Sequence, residues 1–140
     1  MQRNFPVPQS KNVQPLLEKD LTDKIIGAAI EVHKILGPGL LESAYQVCME
    51  HESTLRCIPF ERLVDLPLNY KGINLDAGYQ IDLVYDKHVI VELKAVERII
   101  PVHEAQLLTY MRLTDIHVGL LINFNVPRLW RGVRRVVNNL

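Results

Sequence analysis

Residues 117–124, HVGLLINF, constrain this chain more than any other stretch. The run is short and almost wholly apolar, which is the pattern of a β-strand covered on both faces. A sheet holding such a strand needs a layer of structure on each side. Residues 79–85 and 89–96 alternate at the period of a strand and are joined by a short polar loop. Pro101 then opens a helical segment, VHEAQLLTYMRLTD, between the second of these strands and the buried one. Strand, helix, strand is the order of a parallel crossover. The predicted core is therefore α/β: a small mixed sheet in which an antiparallel meander crosses through a helix to a parallel fourth strand, with helices packed on it.

The rest of the chain fills in around that core. Phe60, Arg62, Val64, Leu66, Leu68 and Tyr70 alternate as a first strand, broken or edged at Pro67, with a turn at Lys71-Gly72. Upstream, Ile25, Ala29, Val32 and Leu36 recur at helical spacing after Thr22, a residue suited to cap the helix, and Gly37-Pro38-Gly39 stops it. A second helix is expected over residues 40–55, with Leu41, Ala44, Cys48 and Leu55 along its apolar stripe. The tail RLWRGVRRVVNNL reads equally as strand or helix. Residues 1–20 are polar and proline-punctuated and are expected to form a flexible arm, leaving residues 21–140 as a single domain.

Composition narrows the function classes. Sixteen basic residues balance sixteen acidic ones, so a nucleic-acid partner would be met by a local patch, not by net charge. Arg128, Arg131, Arg134 and Arg135 beside Trp130 are the best such patch, with a solvated terminal face the equal alternative. The two cysteines, Cys48 and Cys57, lack the spacing and the second pair of a zinc site and suit a reducing compartment. With no apolar run of signal-peptide or membrane-span type, the expectation is a cytoplasmic protein with no membrane partner. Ser43 and Ser53 lack the elbow motif of an acyl hydrolase.

Charged residues stand in the middle of the strand pair. Glu92 and Lys94 leave one face of their strand while Val91 and Leu93 leave the other, and Ile81 and Leu83 flank Asp82 in the same way. If the apolar residues share one face, Ile81 pairs with Leu93, Leu83 with Val91 and Tyr85 with Val89 around a loop of Asp86-Lys87-His88. Asp82 then falls opposite Glu92, about 5 Å away between Cβ atoms. Two carboxylates that close repel, so one takes a proton or a cation joins them. Mg²⁺ or Mn²⁺, held by one or two carboxylates with water and phosphate oxygens, suits that inventory. Lys94 on the same face is placed to serve an attacking water or to steady charge on a phosphate. A solvated strand face with an incidental ion pair is the competing reading.

GYQID, ending at Asp82, and VELK, ending at Lys94, resemble the signature of the PD-(D/E)xK nuclease superfamily: an acidic residue on one strand and E-x-K on its neighbour. AQLLTY supplies Gln106 and Tyr110 as Q-x-x-x-Y on one helix face, similar to the motif of the superfamily's exonuclease-related branch. GLLESAY, residues 39–45, resembles the G-x-x-E-x-x-Y signature of the GxxExxY family within that superfamily. The resemblance runs in order over residues 21–135, although Ile81, not proline, precedes Asp82. It implies a restriction-endonuclease-like three-layer core and a metal-dependent nuclease that hydrolyses phosphodiester bonds of DNA or RNA by attack of activated water.

Residue by residue, the resemblance implies that Asp82, Glu92 and the Leu93 backbone carbonyl hold Mg²⁺ or Mn²⁺, with Glu42 an optional further ligand. Lys94, Gln106 and Glu42 join the catalytic set, with the Gln106 amide within a water's reach of Lys94 or Glu92 while Leu107, Leu108 and Met111 are buried. Tyr110, His103, Arg128 and Arg131 would contact the nucleic acid, DNA ahead of RNA. Glu42 has an equal explanation as a first-turn carboxylate favoured by the helix dipole, worth about 0.3–1 kcal/mol. His33 and His103 are explained as well by helix capping or packing. The alternative function is a nucleic-acid-binding or protein-interaction module that keeps the fold without cleaving, with a second copy or a partner protein completing its grip.

Overall fold

A computed structural model of the chain describes residues 17–75 and 78–138. Helices α1 (Lys19–Leu36) and α2 (Glu42–Leu55) precede strand β1 (Phe60–Asp65). A short antiparallel pair, β2 (Leu68–Tyr70) and β3 (Ile73–Leu75), forms its own two-stranded sheet. Then follow β4 (Gln80–Tyr85), β5 (Val89–Lys94), α3 (Pro101–Thr114), β6 (Val118–Asn123), a 3-10 turn (Leu129–Gly132) and β7 (Val133–Val137). The main sheet has the order β1-β4-β5-β6-β7. Only β5 and β6 run parallel within it; its other neighbours are antiparallel. The expected meander and crossover are present, and the ambiguous tail adds β7 at the edge.

Strands β5 and β6 are central, and every residue of both is buried except Lys94. On one face, Ile25 and Val32 of α1 and Tyr45 and Met49 of α2 pack on Leu83, Val91, Leu93 and Leu120. On the other, Leu107, Tyr110 and Met111 of α3 pack on Val84, Ile90 and Leu121. Each fully buried large aliphatic side chain contributes about 1.5–3 kcal/mol, so both layers hold the sheet. Helix α3 sits very close to β6. A Cβ added to Gly119 would lie 2.8 Å from the Met111 sulfur and 2.9 Å from Leu107 Cδ1.

Several local expectations are corrected. Helix α1 begins at Lys19, before Thr22. Thr22 is inside it, its hydroxyl donating back to the Glu18 and Lys19 carbonyls at 3.0 and 3.1 Å, a bond that competes with capping. Residues 1–16 of the expected arm lie outside the described residues, while Lys19 and Asp20 belong to α1. Helix α2 buries Tyr45, Met49 and Ser53, a stripe one position on from that expected, and leaves Leu41 77% exposed. Tyr45 decides the rotation: its ring stacks on Phe124 at 4.5 Å and its hydroxyl donates to the Gly37 carbonyl at 2.6 Å. Leu108 is exposed on α3, where Tyr110 takes the burial instead. The 60–70 strand divides at Leu66-Pro67, as a proline without an N–H requires of a ladder, and its second part pairs with β3.

Candidate active site

The β4–β5 hairpin carries the two carboxylates. Its ladder pairs Leu83 with Val91, Val84 with Ile90 and Tyr85 with Val89, in the expected register. Asp86 and Lys87 take positive φ in the turn, and the His88 N–H closes it on the Tyr85 carbonyl at 2.9 Å. Beyond Leu83 the side chains take over from the backbone. The Asp82 N–H donates to Glu92 Oε2 at 2.9 Å, and the Leu93 N–H donates to Asp82 Oδ2 at 2.8 Å. The two acids are therefore brought together, each holding the other's strand.

The same point disturbs β1 and corrects one expectation. Arg62 pairs with Leu83 and Val64 with Ile81, but Leu63, opposite Asp82, takes φ 47 and leaves the ladder. Ile81 does not share a face with Leu83. It packs with Val84, Ile90 and α3, because the strand is turned where the carboxylate bonds replace regular pairing.

Burial and charge shape what the acids can do. Glu92 is only 4% exposed, and its pKa is pushed up to about 8, first by burial and then by Asp82, against the pull of the Asp82 N–H and Lys94. Asp82 is also raised by burial, opposed by the Leu93 N–H and by Lys94. Without a cation the pair retains a proton to well above the usual carboxylate range. Asp82 Oδ1 and Glu92 Oε1 carry no hydrogen bond among the described residues. Two hard oxygens left over on a charge-starved pair fit a small divalent cation, with water and phosphate supplying the remaining positions.

Glu42 borders this pair from the first turn of α2. Its pKa is raised by burial and by Asp82 and lowered by Lys94, so the charges sense one another. Still, no three His, Cys, Asp or Glu side chains gather at metal-holding spacing among the described residues, and Glu42 does not complete a three-carboxylate cage. The motif's other residues explain its placement. Tyr45 takes the Leu40 N–H at 3.2 Å while donating to Gly37, which shapes the loop that delivers Glu42.

Lys94 ends β5 and is half-buried. Its ammonium lies 3.5 Å from Gln106 Oε1 on α3, the juxtaposition that the Q-x-x-x-Y spacing led one to expect. Tyr110, one turn on, is raised first by burial and then by the charges of Glu92 and Asp82. His103 is placed differently. Its Nδ1 accepts the Ile100 N–H at 3.1 Å and closes the start of α3. His33 likewise ties α1 to the Val126 carbonyl at 2.8 Å.

The arginines do not form one patch. Arg134 and Arg135 are neighbours on β7 and leave it on opposite sides: Arg134 pairs with Glu104 of α3, and Arg135 donates to Thr22 and to the Leu17 carbonyl. Arg128 and Arg131 remain exposed, with Arg131 over the Trp130 ring at 5.1 Å.

Two polar residues with site roles were missed by sequence. Gln46 donates to the Asp82 carbonyl at 3.0 Å and to Glu50 at 2.8 Å, and Glu50 in turn receives Arg62 at 2.8 Å. The signal was there: Gln46 lies four residues after Glu42, on the same helix face. Asn123 was the one amide in the apolar run of β6. Its amide grips both backbone groups of Val96, at 2.9 and 3.1 Å, and so fixes the chain as it leaves Lys94.

A five-stranded mixed sheet between helical layers, with an acidic pair and a lysine on its adjacent antiparallel strands β4 and β5, defines a restriction-endonuclease-like α/β protein. The chain belongs to the PD-(D/E)XK nuclease superfamily, whose family profile matches residues 19–136. No curated protein and no solved structure matches it. Membership carries a nuclease-type hydrolase function in general and a nucleic acid as substrate.

Proposed function

We propose that this chain is a divalent-metal-dependent nuclease of the GxxExxY branch, hydrolysing phosphodiester bonds in DNA ahead of RNA. The observation that carries the reading is the joined set Asp82, Glu92, Lys94 and Gln106, in which each carboxylate keeps one oxygen without a hydrogen-bond partner among the described residues. Asp82 and Glu92 would hold Mg²⁺ or Mn²⁺, with the Leu93 carbonyl beside them. When bound, such a cation supplies Lewis-acid stabilisation of the phosphate and makes an attacking water more acidic.

The chain's own groups do the rest. Lys94 places a positive charge beside the phosphate oxygens, where it steadies the charge that grows during attack. Gln106 holds that ammonium in place through Oε1. Glu42, whose charge senses both Asp82 and Lys94, adds a third carboxylate to the field around them. Gln46, through the Asp82 carbonyl, keeps β4 turned so that the aspartate faces Glu92.

The test is cleavage of labelled single- and double-stranded DNA and RNA with Mg²⁺, with Mn²⁺ and with chelator. Metal-dependent cleavage lost in Glu92→Gln, with folding retained, is the expected result. Metal-independent cleavage, or full activity in that variant, would sink the assignment.

A further inference from the structure

A groove of about 350 Å³ runs between α3 and the segments at the two ends of the small β2–β3 sheet, with Gln106 in its lining. Leu66, Leu68 and Tyr79 form one side. The other is a helical stripe, Val102, Ala105, Thr109 and Leu113, of the kind that normally packs into a core. Here it is open. Val102 and Leu113 are exposed, and Tyr79 is 46% exposed although it is a large aromatic. Ala105 and Thr109 are short, so the stripe leaves room instead of closing on Leu66 and Leu68.

The groove is continuous with the catalytic residues. Gln106 and Tyr110 line it, and the 3.5 Å contact of Gln106 with Lys94 joins the groove to the site. Gln106 Oε1 accepts from the Lys94 ammonium, while its Nε2 has no hydrogen bond among the described residues. A ligand here would thus find apolar walls, two tyrosine rings and one free amide donor. An aliphatic peptide side chain would leave that donor unmatched. A nucleobase matches all three, with flat apolar faces and a polar edge that accepts hydrogen bonds. Between the groove residues Leu68 and Tyr79 in sequence, Lys71 lies over the exposed Tyr70 ring at 5.3 Å, an aromatic and basic pair of the kind that contacts single strands.

We infer that this groove is a nucleobase slot, receiving an unstacked base next to the scissile phosphate and so selecting single-stranded or frayed nucleic acid over intact duplex. The inference rests on the nuclease reading for the position of the phosphate. A base inside a duplex cannot enter a walled groove without swinging out of its stack, which costs least where no partner strand holds it. Tyr79 is the residue that distinguishes the slot from the catalytic set, since it lines the groove and makes no hydrogen bond to the acids or Lys94.

The test uses the full chain in two arms. In the first, with chelator present, anisotropy reads binding of a labelled oligothymidylate and of a labelled blunt duplex. Tyr79→Ala and Ala105→Trp, one removing a wall and the other filling the groove, should each weaken oligothymidylate binding about five- to hundredfold, the range for loss of one stacked base. Duplex binding and the salt dependence of both should stay as in the unaltered chain, because phosphate contacts are untouched. In the second arm, kcat for hydrolysis of bis(p-nitrophenyl) phosphate, a diester without a nucleobase, should be the same in both variants and lost in Glu92→Gln; kcat is read and not KM, because a nitrophenyl ring is itself flat and enters the same groove. Unchanged oligothymidylate binding in both variants, an equal loss for duplex, or no binding by the unaltered chain would overturn the slot. A change in oligomeric state with Ala105→Trp and no change in oligothymidylate binding would also overturn it, marking a protein-docking face. Failure of diester hydrolysis alone would strike the nuclease reading and leave the binding result standing.

Discussion

The two ends of the β4–β5 hairpin are built from the same strands and obey different rules. At the turn end, Leu83, Val84 and Tyr85 pair regularly with Val91, Ile90 and Val89, and all six are buried. At the open end, backbone pairing gives way to carboxylates that take the opposing N–H groups, and a half-buried aspartate meets a buried glutamate. The turn end is held by apolar burial and is indifferent to chemistry. The open end buries two acids side by side, so that the pair keeps a proton far above the usual carboxylate range, an arrangement a chain built for stability alone would avoid.

This contrast is broken most severely by removing the charge that faces the acids. Lys94→Ala should lower cleavage by about a hundredfold to ten-thousandfold, the span of a positioned charge or proton-transfer group, while the melting temperature stays close to that of the unaltered chain. Cleavage of a labelled oligonucleotide beside a thermal melt checks both halves. Retained activity would place the chemistry elsewhere.

Leu83→Ala, one residue from Asp82, should do the reverse. Loss of a fully buried leucine costs about 2–5 kcal/mol in a denaturant titration, while the rate per folded molecule stays near normal. A rate loss as large as that for Lys94→Ala would mean that the two ends are not separable.

The acids also give the apo protein an inverted pH response. Because the folded chain raises Glu92 to about 8, it binds more protons than the unfolded chain between the usual carboxylate range and that value. Stability contributed by this group is therefore full in acid and is lost as pH rises through the window, by an amount on the order of 1–3 kcal/mol. Mn²⁺ should restore stability, and more at pH 8 than at pH 5. Melts across pH with and without the ion, repeated on Glu92→Gln, read the effect; a slope that persists in the variant would assign it to another group.

The smallest change sharpens the turn end. Lys87 sits at φ 59, and its contact with Glu61, at 3.7 Å, is exposed. Lys87→Gly should alter stability by no more than about 1 kcal/mol, relief of the left-handed strain offsetting the greater freedom of the unfolded chain. Cleavage should be untouched.

What the sequence made legible follows the same division. Alternation placed Leu83 against Val91 and Tyr85 against Val89, because burial of an apolar face specifies register strongly. From that register came the meeting of Asp82 with Glu92, and from helical spacing the approach of Gln106 to Lys94. Ile81 escaped because alternation assumes an uninterrupted ladder, and hydrogen bonds from side chains to backbone interrupt it. Gln46 and Asn123 escaped for a related reason: an amide's importance lies in which carbonyl it reaches, and that depends on tertiary packing. The arginines misled because proximity in sequence along a strand means opposite sides of a sheet.

Gly119 gives the spacing of the site an unusual origin. Lys94 rides on β5 and Gln106 on α3, and the gap between these carriers is governed by how deeply the helix settles on the neighbouring β6. Settling is limited at Gly119, where Leu107 and Met111 occupy the volume that any side chain would claim. The lysine–amide distance is thus tuned at a position that touches neither group. A single methyl there would act as a shim under α3, lifting Gln106 away from Lys94 while every site residue kept its identity.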